Sequence, residues 1–478
     1  MKNLIKIIFV LSFLLPVCVQ GQAVTWQRYF NYDSGHDYAQ DAIQTFDGGY
    51  LTVGYGRSSS VFIGAFILKT DYLGNVEWKK FIGEPSENRK AHKVKQVSDS
   101  GYIIVGESYS NFLIFKTNKN GEVIWEHRYP VENSSEARGY SFVITDDGFI
   151  VACGDVFFNS LFQTYPYIVK TDMSGNLTWK KYYNDMIDVT AGDIVKIENN
   201  EYVFCVTKYL RKIDSSGNVL STNSYWSGSG FLTIDELVYE YPGIIYGGGT
   251  SGLNGQWSFH LLKVNTSDSL FWSKRILNPE NEISDCRSIC LLNGNIYMTG
   301  VYNIKGVVPF AKVSSEGDLL IYNLITESQA VESYGLSIQP ANDNGFILSG
   351  STRFGTTFSY KYLVIKTDSN GYAPELVNIR SQTEYLDKFE LYQNYPNPFN
   401  PYTTISYNIQ RQAFINISVF DINGKKIKEF ENGNQSIGSY SVRFDGSDLP
   451  SGIYFYQLRI IEGGISKKIR TKKMFLIK

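Results

Sequence analysis

The segment Lys69-Thr70-Asp71-Tyr72-Leu73-Gly74-Asn75-Val76-Glu77-Trp78 constrains the fold more than any other, because it recurs. Related segments begin at Lys116, Lys170, Lys212, Lys263, Lys312 and Lys366, a mean spacing of about 50 residues, which is the period range of propeller blades. In the first copy Phe66-Ile67-Leu68 is an apolar, β-prone run and Asp71 to Gly74 carries turn chemistry. Val76 and Trp78 then alternate as a second strand would. Another strand precedes each copy, clearest at Gly49-Tyr50-Leu51-Thr52-Val53-Gly54 and Gly101-Tyr102-Ile103-Ile104-Val105-Gly106. Earlier still comes a strand with a small residue (Ala39, Ala91, Ala191, Gly335). Strands that crowd an axis need small side chains, so this one is expected innermost.

Four strands in each of seven repeats predict an all-β chain. The expected fold is a seven-bladed β-propeller followed by a small Ig-like β-sandwich. The last repeat departs at Tyr372-Ala373-Pro374 without its Trp strand, whereas Trp26-Gln27-Arg28-Tyr29-Phe30 matches Trp78-Lys79-Lys80-Phe81. Strand 26–30 is therefore expected to complete the seventh blade, which protects sheet edges that an open array would expose. The expected boundaries are a signal peptide at 1–21, the propeller at 22–371, a linker at 372–388 and the sandwich at 389–478. Lys2 and Lys6, the apolar run Ile7 to Val19 and the small-residue site Val19-Gln20-Gly21 carry the signal-peptide reading.

Net charge is −2, so no overall basic field points to nucleic acid. Cys153, Cys205, Cys286 and Cys290 have no metal-ligand spacing and read as small core residues. The histidines His36, His92, His127 and His260 fall in different repeats, and no HExxH, GxSxG or phosphate loop occurs. Gly247-Gly248-Gly249 reads as a bulge or turn at a strand end. Asp71, Asp172, Asp214 and Asp368 each sit alone in a turn and read as turn caps rather than calcium ligands. Neither a metal nor another cofactor is expected.

The connections on the face opposite the tight turns read as long and irregular, and binding groups concentrate in such loops. The aromatic side chains there are the expected ligand contacts: Phe158, Phe162 and Tyr165 in the third repeat, Trp257 in the fifth, Phe354 and Phe358 in the seventh. Their flat faces suit sugar rings or apolar peptide side chains. The acids Glu84, Glu87, Glu132, Asp185, Asp188, Glu280, Glu282 and Glu332 are candidates for a carboxylate pair of the kind glycoside chemistry uses.

The C-terminal region carries Leu391-Tyr392-Gln393-Asn394-Tyr395-Pro396-Asn397-Pro398-Phe399-Asn400-Pro401, then Val419-Phe420-Asp421-Ile422-Asn423-Gly424-Lys425, then Leu449-Pro450-Ser451-Gly452-Ile453-Tyr454, and ends Lys472-Lys473-Met474-Phe475-Leu476-Ile477-Lys478. In order and spacing these segments resemble the type A C-terminal sorting domain of the type IX (Por) secretion system. The resemblance implies an Ig-like sandwich and makes Pro396, Asn397, Pro398, Phe399, Gly424, Gly452, Lys472 and Lys473 the sorting-signal residues. It also implies the type IX machinery and its sortase as partners, and passage through the periplasm to the outer-membrane surface of a Gram-negative bacterium or the medium. The Asp-x-x-Gly-x-x-x-Trp repeat is similar to that of quinoprotein dehydrogenase and outer-membrane assembly propellers, over the turn and Trp strand only. The paired adjacent cysteines that the quinone enzymes use are absent. The expected role of the propeller is non-catalytic binding of an extracellular glycan, peptide or protein. Polysaccharide or peptide degradation through the loop-face acids, and a purely structural surface role, are the alternatives.

Overall fold

The computed structural model describes residues 24–31, 36–57, 63–84, 87–226, 230–253, 255–277, 284–302, 306–326, 330–355, 359–374, 390–409, 413–435, 438–462 and 465–478. The signal-peptide reading, Phe358, Glu280, Glu282 and nearly all of the 372–388 segment lie outside them. Two compact units divide at Val377/Asn378.

Among the described residues of the first unit, consecutive antiparallel strands form four four-stranded sheets, one of five strands and one of eight, numbered here as blades in chain order with the eight-stranded sheet taken as blades six and seven. Blade one runs Asp37–Gln44, Tyr50–Arg57, Ile63–Thr70 and Val76–Ile82. Blades six and seven join in one sheet through the pair Val301↔Tyr334, and blade five has a broken first strand, Phe231–Leu232 and Glu236–Glu240. The first strand of each blade touches that of the next, and the seventh (Ala330–Pro340) returns to the first (Asp37–Gln44). Strand Trp26–Phe30 pairs antiparallel with Tyr360–Thr367 in the register Trp26↔Lys366, giving blade seven its outer strand.

Burial explains the sequence pattern of each strand. Second strands lie between neighbouring blades and are covered on both faces. Tyr102-Ile103-Ile104-Val105 is accordingly an unbroken apolar run, at most 1 % exposed. Outer strands such as Val76–Ile82 have one free side and alternate.

The repeated turn and the repeated Trp are parts of one contact between neighbouring blades. Each outer-strand Trp lies over the turn glycine of the next blade: Trp78 on Gly121, Trp125 on Gly175, Trp179 on Gly217, Trp272 on Gly317 and, across the closure, Trp26 on Gly74. These glycines have φ near +80°, where only glycine is unstrained, and a Cβ on Gly74 would stand 2.9 Å from the Trp26 ring. Two blades lack this Trp: blade four has Ser221 opposite Lys212, and the next turn has Asp268 in place of glycine, whereas blade six has Ile321 opposite Lys312, and the next turn keeps Gly371, which packs on Phe310.

Each turn Asp caps its own loop. Asp71 Oδ1 accepts the N–H groups of Leu73 (2.9 Å) and Asn75 (2.8 Å). Asp172, Asp214 and Asp368 do the same. In the first, second and seventh copies the opening lysine ties the other turn of its own blade: buried Lys69 reaches Asp47 at 3.1 Å, Lys116 pairs with Asp99, and Lys366 reaches Asp343 at 2.8 Å, whereas Lys170, Lys212 and Lys263 donate to carbonyls in the next blade's turn. Cys153, Cys205, Cys286 and Cys290 are free and buried.

Two expectations are corrected. The third-repeat connection is the short turn 159–162, because Phe149–Phe158 and Gln163–Asp172 stay paired out to Phe158↔Gln163. Gly247-Gly248-Gly249 lies inside strand Ile244–Leu253, not at its end. Its neighbours leave no room for side chains there: a Cβ on Gly249 would meet the Thr233 carbonyl oxygen at 2.0 Å.

The second unit pairs sheets of three and four strands around Ile405, Ile417, Val419, Phe444, Tyr456 and Met474.

Candidate functional site

The innermost strands build the axis of the propeller. In most of them the register slips directly after the small residue, between Ala39 and Asp41, Ala91 and Lys93, Gly139 and Ser141, Cys286 and Ser288, and Gly335 and Ser337. Such a bulge re-aims the following side chain. The re-aimed residues stitch the blades together. Ser337 donates to Asp41 (2.6 Å), Asp41 accepts from the Val94 N–H (3.1 Å) and Ser141 donates to Asp193. Asp193 and Glu236 accept from the N–H groups of Leu237 and Ile289, both at 2.8 Å, and Ser288 accepts from Ile338 at 3.1 Å.

Lys93 crosses this ring from the second blade to the fifth, with Nζ 2.6 Å from Glu236 and 3.8 Å from Asp41. Burial alone would depress its ammonium, but Asp41, Glu236 and Asp193 lift it above the ordinary lysine value. Burial raises the Asp41 and Asp193 carboxyls, with Glu236 adding to Asp193. Asp41, Lys93 and Asp193 stand in the middle of their inner strands, so the ion pairs form a plug partway along the axis.

At the end where the first strands begin, aromatic rings form an unbroken belt over blades seven, one, two and three. Centroid separations are 6.0 Å for Tyr334–Tyr360, 5.2 Å for Tyr360–Tyr38, 5.2 Å for Tyr38–Tyr55, 6.3 Å for Tyr55–His92 and 5.3 Å for His92–Tyr140. His36 stacks on Tyr38 at 6.5 Å. All are partly buried. Burial, then Lys90 and Arg138, push the His92 imidazolium down to about 3, so the ring is neutral at physiological pH; its buried Nε2 has no hydrogen-bond partner. Burial likewise raises the Tyr55 phenol to about 12 and lifts Tyr38 and Tyr140, leaving hydroxyl donors beside the ring faces.

Carboxylates at both ends of the belt are engaged. Glu332 accepts from Tyr360 and Tyr334 and pairs with Arg353 at 2.8 Å; bonds from Arg353 and Tyr360 hold its carboxyl down at about 2. Asp155 pairs with Arg138 (3.0 Å) and accepts from Thr190 (2.9 Å) and Tyr140 (3.2 Å).

The aromatic residues expected at the ligand face are dispersed. Phe158 and Tyr165 are buried in the core between blades, each against Tyr182. Phe162 is 81 % exposed at its turn. Trp257 packs edge-on against Phe231 (5.4 Å), and Phe354 lies against Tyr29 (5.0 Å). Of the expected acids, Glu87 pairs with Arg89 (2.8 Å) and Arg128 (2.5 Å), Asp185 with Arg211 (2.6 Å), and Asp188 accepts the Thr164 N–H (3.3 Å). Among the described residues no cluster of His, Cys, Asp or Glu could hold a metal ion. His260 lies between Ser251 and Ser273 at 3.0 and 2.7 Å, with its imidazolium pushed down to about 4 by burial and Arg275. Sequence reading missed the belt, although aromatics beside the small inner-strand residue (Tyr38-Ala39, Ala91-His92, Gly139-Tyr140, Tyr334-Gly335) signal it.

In the second unit the Asn-Pro segment is fastened to the last strand. Phe399 is buried, donates to the Phe475 carbonyl (2.9 Å) and accepts from Ile477 (3.0 Å). Asn397 Oδ1 accepts the Phe475 N–H at 2.9 Å. Asn394 donates to Thr403 (2.9 Å) and the Pro396 carbonyl (3.0 Å). Pro396 and Pro398 are exposed. Gly424 closes the Asp421 turn at φ +80°, and Gly452 is exposed at the start of its strand. Lys472 is partly buried and Lys473 exposed, with its ammonium 4.9 Å from the Phe475 ring.

The family model for the secretion system C-terminal sorting domain matches residues 393–472. This region is a C-terminal sorting domain of that family. Of the expected sorting-signal residues only Lys473 falls outside the matched segment. The sorting domain implies interaction with the type IX secretion machinery and export to the cell surface or beyond. Among the described residues no helix is long and apolar enough to cross a membrane.

No curated protein matches the chain. Among solved structures it is similar to a protein of unknown function from Bacteroides caccae (14 % identity, covering 57 % of this chain and 93 % of that one, TM-score 0.39). It is also similar to the β-propeller domain of the Trilobed protease from Pyrococcus furiosus (11 %, 71 % and 98 %, TM-score 0.41). A third similar structure is PorZ, a surface component of the type IX secretion system of Porphyromonas gingivalis (11 %, 92 % and 81 %, TM-score 0.29).

Proposed function

We propose that the chain is carried through the periplasm to the outer-membrane surface or the medium of a Gram-negative cell, where the system's sortase acts on its sorting domain. We further propose that the delivered propeller is a non-catalytic binding module. Its ligand, a glycan, peptide or protein, seats in the recess lined by Tyr334, Tyr360, Tyr38, Tyr55, His92 and Tyr140. The continuous belt of ring faces carries this reading. Aromatic faces give contact area at low entropy cost, and the mid-axis ion pairs give the recess a floor. Glu332 and Asp155 are already bonded, which suits them to holding the rings rather than to acid–base turnover. Phe162 and Trp257 belong to the outer rim of the same face.

The test is retention of the mature chain on immobilised polysaccharides and peptides. Tyr38→Ala with Tyr140→Ala is expected to abolish retention, and Phe162→Ala with Trp257→Ala to weaken it. Full retention by the first pair would overturn the site.

A further inference from the structure

We propose that the opposite end of the axis holds a second, separate site, for a small organic monoanion with an apolar body, and that Lys95 is its counter-charge. Its lining includes none of the belt residues, so the two sites are expected to be independent.

The recess is a cavity of about 480 Å3 at the end where the first strands of blades two to five finish, within the size range of small-ligand pockets. Val143, Val195 and Ile197 line its wall, the last two buried, and Tyr239 and Tyr241 its rim. Four charged side chains face it: Lys95, Lys196, Asp146 and Glu198. Three of them are engaged: Lys196 pairs with Asp146 at 2.8 Å, and Glu198 accepts a bond from Tyr239, which holds its carboxyl low. Lys95 differs. Among the described residues its ammonium makes neither a hydrogen bond nor an ion pair, and its nearest recorded contact is the Phe142 ring at 5.7 Å.

Burial first, then the neighbouring Lys93 charge, disfavour the protonated form of Lys95, against the opposing pull of Asp193, Asp41 and Glu236. A bound anion would supply the missing charge-assisted bond. The four charges at the recess sum to zero, but only the Lys95 ammonium lacks a bonded partner among the described residues, so it calls for a single negative group, and the aliphatic wall calls for an apolar remainder. Together these describe a carboxylate on a short hydrocarbon or apolar side chain rather than a phosphate.

The experiment titrates the mature full-length chain with sodium hexanoate, hexan-1-ol and inorganic phosphate by calorimetry. Hexanoate is expected to bind saturably at or below about 1 mM, and the alcohol and phosphate to bind at least about tenfold more weakly. Lys95→Met should lose at least about tenfold and Lys95→Arg should retain binding. Tyr38→Ala, at the other end of the axis, should leave hexanoate binding as it is while weakening retention on the polymeric ligand. A second measurement needs no variant: after reductive 13C-dimethylation, the Lys95 resonance should move on hexanoate addition. An unmoved resonance, equal binding by Lys95→Met, or preference for phosphate or hexanol would each overturn the proposal.

Discussion

The contact between Trp26 and Gly74 closes the propeller, and its strength follows from two glycines that share a backbone but not a neighbourhood. Gly48 and Gly74 both have φ near +80°, so alanine at either meets the same left-handed penalty, about 1–2 kcal/mol. Around Gly48 a new Cβ meets nothing within 4 Å. At Gly74 it would stand 2.9 Å from the Trp26 ring, which is 6 % exposed, bonded through Nε1 to the Tyr72 carbonyl (3.1 Å) and packed on Tyr50 (5.7 Å). Overpacking of this kind adds about 1–3 kcal/mol. Gly74→Ala is therefore expected to cost about 2–5 kcal/mol and Gly48→Ala about 1–2. At roughly 2 cal/mol/K per residue the propeller's unfolding entropy is about 0.7 kcal/mol/K, so Tm falls by about 3–7 °C and 1–3 °C respectively. Trp26→Ala alone should cost about 3–5 kcal/mol. In that background Gly74→Ala should return to about 1–2 kcal/mol, a coupling of about 1–3 kcal/mol in a double-mutant cycle. Calorimetric unfolding of the four proteins measures it. Equal losses at the two glycines, or strict additivity with Trp26→Ala, would refute the contact as the seal.

Three further outcomes are expected. Lys93→Met strands the buried Asp41 and Glu236 and should cost about 3–5 kcal/mol at pH 7 in urea unfolding; because protonation relieves the stranded acids, the deficit should shrink toward pH 4, and a pH-independent deficit would contradict the plug. The Glu332 carboxyl sits near 2 when folded against about 4.3 unfolded, so its stabilisation is complete above that value and fades as pH falls toward 2. Glu332→Gln should flatten that limb of the stability profile, and an unchanged limb would contradict the assignment. Deleting residues 389–478 should leave the protein in the periplasm by cell fractionation, whereas normal surface display would refute the sorting assignment.

Much of the architecture was legible because the chemistry repeats. Second strands are covered on both faces and read as apolar runs, and the Asp-x-x-Gly-x-x-x-Trp pattern marks one inter-blade contact that five Trp–Gly pairs make. The same contact made Trp26 recognisable as an outer strand lying 340 residues before its partner Lys366. The recess was hidden for a different reason. Its rings come from blades far apart in sequence, and four of them, Tyr38, His92, Tyr140 and Tyr334, stand at inner-strand bulges that no local period announces. Phe158 and Tyr165 misled for the converse reason. They sit where a loop seemed natural, yet strand pairing extends through both and turns them into the core. Nothing in the sequence around Lys95 distinguishes it from other lysines, and only its position between Phe142 and the axial recess sets it apart.

The account stands most directly on one measurement of two quantities: retention of the mature propeller on a panel of polysaccharides and peptides, with soluble product assayed in the same tubes. Retention without product, lost in Tyr38→Ala with Tyr140→Ala, is the predicted result. Product released from any retained ligand, or retention indifferent to those two rings, would contradict it.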